Sequence, residues 1–323
     1  MSSTGKRLQE FIGQVRREGR KKDCFAADGN CSNTIVKAHS VQNNRILTRL
    51  TDNGEVIQLK HDILEEEFKI APRLVGRRVA SIATNFCGSH DTNIFFPIEH
   101  CNYTPGDVQQ EFLFAYRAYA WEYHVKQEQA LTFKAALKKL VTPAQQKIIA
   151  DGLKGSEIAL KEMEPNKFIL NKARQMSNFS QIHTYRAEFR QPCPIAASSC
   201  FALEHDLHGK IVNDLSDLGT ALKPLILTVF PQDTKSHVLI SCFRKDKKDY
   251  SCIPKQILSR TKAEQKIIIS NIILAHIENL FISPLWWNSR SAETQVSISR
   301  RFSETITSDR QALSNMLCVN LLE

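Results

Sequence analysis

The feature that most constrains this chain is a set of thiols and imidazoles on short turns within its first hundred residues. Cys24 and Cys31 flank the turn Asp28-Gly29-Asn30. The run Phe86-Cys87-Gly88-Ser89-His90-Asp91 sets a third cysteine three positions before a histidine. Two tight turns carrying thiolate and imidazole groups can close a tetrahedral zinc site, because each turn points two side chains at one ion. Cys24, Cys31, Cys87 and His90 are therefore the expected ligands of a structural zinc. A competing set replaces His90 with His39, which follows Cys31 by eight positions in Lys37-Ala38-His39-Ser40. A metal clip also explains how the turn-broken stretch from Asp23 to Glu99 can be ordered, since metal binding becomes folding free energy. The simpler reading is three buried free thiols, which are common in cores.

Nine cysteines in 323 residues form an odd, scattered set. That pattern suits free or metal-bound thiols in a reducing compartment rather than a disulfide framework. No run reaches the roughly 18 consecutive apolar residues of a membrane helix; the longest candidate, Ile267 to Ile282, is broken by Ser270, Asn271, His276, Glu278 and Asn279. Residues 1–20 lack the apolar block of a secretory signal, so a soluble, cytoplasmic protein with no membrane partner is expected. Lys plus Arg number 43 against 34 Asp plus Glu, a net charge of +9. This excess favours a polyanionic partner, DNA or RNA first, with a solvated basic surface as the plain alternative.

Periodicity divides the chain into three stretches: 1–103, a basic helix plus a zinc-supported domain; 104–180, helical; and 181–323, α+β. Leu8, Phe11, Ile12 and Val15 give residues 5–22 a helical face, with Arg16, Arg17, Arg20, Lys21 and Lys22 at its exit. Asn53-Gly54, between Arg45-Ile46-Leu47 and Glu55-Val56-Ile57, reads as a hairpin turn. Thr104 and Pro105 read as the start of a long helix, Thr142-Pro143 as the start of another, and Pro165 as an interruption. After Ser180 the period falls to two, over 182–189, 195–203, 222–230 and 237–243, which predicts an antiparallel sheet. A helix over 255–280 is expected to cover that sheet, and a polar tail from Asn288 to form one more near 308–317. The fold class is α+β.

The order of parts over residues 20–100 resembles the zinc-bearing members of the HNH endonuclease family, which have a treble-clef ββα-metal arrangement. The resemblance implies roles for individual residues. His39 falls where that family places the base that activates water, Asn53 near the Asn that orients the base, and Asp91 where a hard metal ion is held. The second knuckle, Cys87-Gly88-Ser89-His90, departs from the family's usual Cys, two residues, Cys, and Ala38 stands where a metal-holding residue is common. The combination Ala38-His39-Ser40, Phe86 to Asp91 and Ile94-Phe95-Phe96-Pro97-Ile98-Glu99 also resembles uncharacterised bacterial proteins, a likeness that implies no activity.

The resemblance implies a metal-dependent nucleic-acid endonuclease that uses magnesium or manganese beside the zinc, in a defence or toxin-like setting. A non-catalytic zinc module that binds nucleic acid or protein is the alternative, with the C-terminal region as a possible protein-partner surface. Each residue has an ordinary reading beside the chemical one. His39 can be a zinc ligand, Asn53 is explained by its turn, and Asp91 can cap a helix. Glu99-His100-Cys101 and Glu204-His205-Asp206-Leu207-His208 read as turn residues rather than ligands, and Trp286-Trp287 as core.

Overall fold

The computed structural model describes residues 3–32, 34–64, 67–139, 142–217, 219–307 and 319–323. Its first third contains α1 (Ser3–Glu18), β1 (Ile35–His39), β2 (Glu55–Leu64), β3 (Glu67–Gly76), α2 (Arg77–Ala80), β4 (Ile82–Cys87) and α3 (Gly88–Glu99). Two long helices follow, α4 (Val108–Leu137) and α5 (Pro143–Gln175). Four strands come next, β5 (Ile182–Phe189), β6 (Ile195–Ala202), β7 (Pro224–Gln232) and β8 (Lys235–Phe243). The chain continues through α6 (Lys262–His276), β9 (Leu280–Ile282), α7 (Pro284–Asn288) and α8 (Ala292–Thr307).

Seven strands make one antiparallel sheet in the order β3-β2-β9-β6-β7-β8-β5. Alternate side chains point to opposite faces, and both faces are covered. Ile226, Phe230, Leu239 and Phe243 pack toward α4, where Phe114 stacks on Phe230 at 4.9 Å. Leu225, Leu227, Val238 and Ile240 pack toward Ile268, Ile269, Ile272 and Ile273 of α6, in a cluster that includes the buried Trp286 and Trp287. The antiparallel sheet and the α+β class are as the periodicity predicts. The hairpin β2–β3 lies outside 181–323 in sequence yet supplies two strands of this sheet.

The remaining pair is the one that positions the candidate site. β1 runs antiparallel to β4, from Ile35 opposite Cys87 to His39 opposite Ile82, with the register slipping between Val36 and Ala38. β4 then passes directly into α3. Against this unit lies α4, whose Tyr116, Tyr119 and Tyr123 close an aromatic cluster around Phe25 and Phe86.

Several elements differ from the sequence expectation. Asn53 and Gly54 do form a tight turn, with φ of +50° and +80° and reciprocal Asp52–Glu55 backbone bonds of 3.1 and 2.9 Å. The segment before it, however, is a 3-10 turn at Leu47–Arg49, and β2 pairs forward with β3. α4 starts at Asp107, whose carboxylate caps the Gln109 and Gln110 N–H groups, rather than at Thr104. α5 runs unbroken through Pro165. Pro165 is exposed, and neighbouring turns are tied to α4, with Tyr119 donating to the Met163 carbonyl at 2.8 Å and Tyr116 to Asn171 at 2.6 Å.

The 255–280 helix is shorter than expected. A capping box of Thr261 and Glu264 starts α6 at Lys262, and Leu280–Ile282 is a strand inserted between β2 and β6. The segment after Asn288 is helical from Ala292; the helix expected near 308–317 lies outside the described residues.

Candidate metal centre

The side chains of Cys24, Cys31, Cys87 and His90 converge, their ligand atoms all within 4.8 Å of one another. His90 Nδ1 lies 3.3 Å from Cys24 Sγ, 3.5 Å from Cys31 Sγ and 3.3 Å from Cys87 Sγ. Zinc bonds of about 2.3 Å to sulfur and 2.0–2.1 Å to nitrogen, at tetrahedral angles, set such atoms about 3.6 Å apart. The group therefore fits an ion such as zinc. His39 is not a member, so the competing ligand set is not the one the fold assembles. Among the described residues no other cluster of three such side chains meets this spacing.

Local chain chemistry explains the convergence. Six residues separate Cys24 from Cys31, more than a usual knuckle has. The excess is folded away by a left-handed Ala27 at φ +37° and by the Asp28 carboxylate, which accepts the Asn30 N–H at 2.8 Å. Phe25 anchors the turn, its ring 5.3 Å from that of Tyr116. On the second knuckle Cys87 is the residue before α3, and the Ser32 N–H donates to its sulfur at 3.3 Å. Burial works to raise the Cys87 thiol, yet hydrogen bonds from His90 and Ser32 outweigh it and bring it down to about 6. Burial, then the adjacent Cys24, pushes Cys31 up to about 11. Metal binding at this group thus displaces a proton from Cys31.

A carboxylate supports the ligands from behind. His90 Nε2 lies 3.0 Å from Asp28 Oδ1, somewhat off the line of an ideal hydrogen bond, and Asp28 Oδ2 meets Arg174 Nη2 at 2.5 Å. Burial opposes ionisation of Asp28, but the Asn30 N–H and Arg174 hold its carboxyl down at about 2. This is the carboxylate–histidine pairing that fixes a ligand's tautomer and orientation at zinc sites. Asp28 and Arg174 are not distinguishable as such in the sequence, where Asp28 is only a turn residue.

His39 ends β1, at the opposite end of the β1–β4 ladder from Cys87. Its Nδ1 lies 2.7 Å from Ser81 Oγ, and the fully buried Ser81 gives its one hydroxyl proton to the Val41 carbonyl at 3.1 Å. The Ser81 oxygen must then accept from His39 Nδ1–H, which leaves the lone pair on Nε2. Burial holds the His39 pKa below its ordinary value; Glu99 opposes this, while Arg117 and Arg77 add to it. At neutral pH the ring is uncharged, as a proton acceptor must be.

Asp91 sits in the first turn of α3, which begins at Gly88, so it is a helix residue rather than a cap. Its carboxyl has no hydrogen-bond partner among the described residues and is raised by burial, with Arg117 pulling down and Glu99 pushing up. Arg117 of α4 pairs with Glu99 at 2.6 Å and lies 4.1 Å over the Phe95 ring. Asp91, Phe95 and Glu99 are spaced i, i+4, i+8 on one face of α3. His39 and Asp91 therefore answer to the same two charges, Glu99 and Arg117.

Asn53 is exposed in its turn, and the polar partner of His39 is Ser81 instead. Ser81 and Arg117 carry no signal in the sequence, because each acts through a contact made by distant chain segments. No helix among the described residues is long and apolar enough to cross a membrane. No family model, curated protein or solved structure matches this chain.

Proposed function

We propose that the chain is a zinc-supported, metal-dependent endonuclease that hydrolyses phosphodiesters of DNA or RNA, of the HNH treble-clef type. The observation that carries the reading is the order strand, strand, helix with its chemistry attached. β1 ends in an uncharged His39 with a free Nε2, β4 returns into α3, and the Cys/His group lies at their junction. His39 Nε2 takes the proton of the attacking water. Ser81 holds the ring in the tautomer that can do so, the part first assigned to Asn53. Asp91 is the group to hold a magnesium or manganese ion, which usually binds one or two carboxylates plus substrate phosphates and neutralises charge at the leaving oxygen. Of the basic residues at and beyond the end of α1, Lys21 is paired with Asp23 at 2.9 Å, whereas Arg17, Arg20 and Lys22 are exposed to meet phosphates.

Digestion of plasmid, single-stranded DNA and RNA with magnesium or manganese tests the reading. His39→Ala is expected to abolish cutting while retaining zinc; Cys87→Ser is expected to lose zinc, fold and cutting together. A wild type that cuts none of these substrates with either ion refutes it. Zinc-dependent nucleic-acid binding without cutting favours the recognition-module reading, which Ala38 and the Arg117–Glu99 pair support, since they leave Asp91 as the lone free carboxylate on that face of α3.

A further inference from the structure

A cavity of about 470 Å³ lies where α1, β2, α4, α5 and β6 meet, within the size range of small-molecule sites. It is separate from the Cys/His group and from His39, and neither the metal reading nor the nuclease reading uses it. Arg16 of α1 and Lys60 of β2 both line it, with no carboxylate partner among the described residues. Three carboxylates, Glu122, Glu162 and Glu278, also line it, and Glu122 is engaged by Ser199 at 3.1 Å. Lys60 is held below the usual lysine range by burial of its ammonium and then by Arg16, and no acid contributes. Two adjacent cations with no carboxylate partner are a site for an anion.

The walls supply the opposite chemistry. Gln58 is only 8% exposed; its amide nitrogen donates to the Ala80 carbonyl at 3.1 Å, while its Oε1, buried, has no partner. This oxygen is shut off from the cavity space, so a ligand N–H recovers its unmet hydrogen bond only by turning the amide. Glu162 of α5 is a second acceptor, its carboxyl raised by burial alone. The half-buried Trp121 of α4 lines the same space with no ring or hydrogen-bond partner among the described residues and offers a flat face for stacking.

We propose that this cavity binds a small organic anion bearing a flat, N–H-carrying ring, of the size of a ribonucleoside monophosphate. The phosphate lies between Arg16 and Lys60, the ring stacks on Trp121, and ring N–H groups reach Glu162 and, with the amide turned, Gln58 Oε1. The site also has a physical link to His39. Gln58 bonds the residue before Ser81, and Asn279, another cavity residue, accepts from Ser40 Oγ at 3.1 Å, one position after His39. An occupant that turns either amide acts on the groups that hold the His39 ring.

Calorimetric titration of the full chain with the four ribonucleoside 5′-monophosphates, with their nucleosides and with ribose 5-phosphate tests the proposal without any nuclease readout. At least one monophosphate is expected to bind at one site per chain, about tenfold or more tighter than its nucleoside or ribose 5-phosphate. Lys60→Ala and Trp121→Ala are each expected to weaken it about tenfold or more, and His39→Ala to leave it unchanged. Quenching of Trp121 fluorescence in the wild-type chain, compared with Trp121→Phe, is a second measurement that needs no charge variant. The proposal is overturned if no monophosphate binds, if ribose 5-phosphate binds equally well, or if Lys60→Ala and Trp121→Ala bind as the wild type does. Loss of binding in His39→Ala also overturns it, by moving the ligand to the candidate nuclease site.

Discussion

Asp28 gives the sharpest test of the metal centre, because it touches no proposed metal position and yet should control affinity. Its carboxylate lies behind His90 at 3.0 Å, meets Arg174 at 2.5 Å and accepts the Asn30 N–H at 2.8 Å. Loss of an outer carboxylate behind a ligating histidine typically weakens metal binding about 10- to 100-fold, or about 1.4–2.8 kcal/mol. Asp28→Asn keeps an acceptor for the Asn30 N–H and belongs at the lower end of that range. Asp28→Ala also releases the turn that presents Cys31 and belongs at the upper end. Arg174, whose side chain is only 15% exposed, loses its counter-charge in both, so a part of the loss in stability is independent of zinc. Arg174→Ala separates the two effects, since it removes the arginine while leaving the carboxylate on His90. The assay is competition for zinc against a chromophoric chelator at fixed pH, with folding checked by circular dichroism. Zinc affinity of Asp28→Ala within twofold of wild type would refute the reasoning.

Three further outcomes follow from the geometry. Because burial lowers the His39 pKa, the active neutral form accumulates as pH rises through a value below the ordinary 6.5, and the cutting rate should have levelled off by about pH 7.5; a rate still climbing above that contradicts this assignment. Gly19→Ala should destabilise by about 1–3 kcal/mol in urea unfolding, since its Cβ would stand 2.8 Å from the Thr132 backbone nitrogen, and an unchanged midpoint would show that α1 can move off α4. Changing Arg17, Arg20 and Lys22 to Glu should flatten the salt dependence of duplex binding by about 0.9 log units per lost phosphate contact; an unaltered slope in gel shifts places the footprint elsewhere.

The sequence made the metal ligands and the sheet legible for different reasons. Cys87 and His90 are three positions apart and Cys24 and Cys31 share one turn, so their chemistry is local and readable. The strands at 182–189 and 237–243 announce themselves by alternation, a signal that also depends only on neighbours. What escaped depends on distant partners. Ser81 is an unremarkable serine until Val41 and His39 close on it. Leu280–Ile282 continues an apolar helical pattern and becomes a strand only because β2 and β6 leave a gap for it. Pro165 is a helix breaker by local rule, overridden by the tyrosines of α4 that hold α5 on both sides of it. The Thr261–Glu264 capping box, by contrast, was present in the sequence as a readable start signal for α6.

The three residues of β9 carry more than their length suggests. Among the described residues they are the entire backbone pairing between the β2–β3 hairpin and the rest of the sheet, with Ile282 opposite both Ile57 and Ile195. The hairpin is itself a loop drawn out between the two short strands β1 and β4, so the sheet is two ribbons welded at one narrow seam. A break at that weld would loosen β2, and with it Gln58 and the Ala80–Ser81 corner it steadies. An imidazole near residue 40 thus has one of its braces in a strand some 240 positions further along, and removing the C-terminal region would take that brace away.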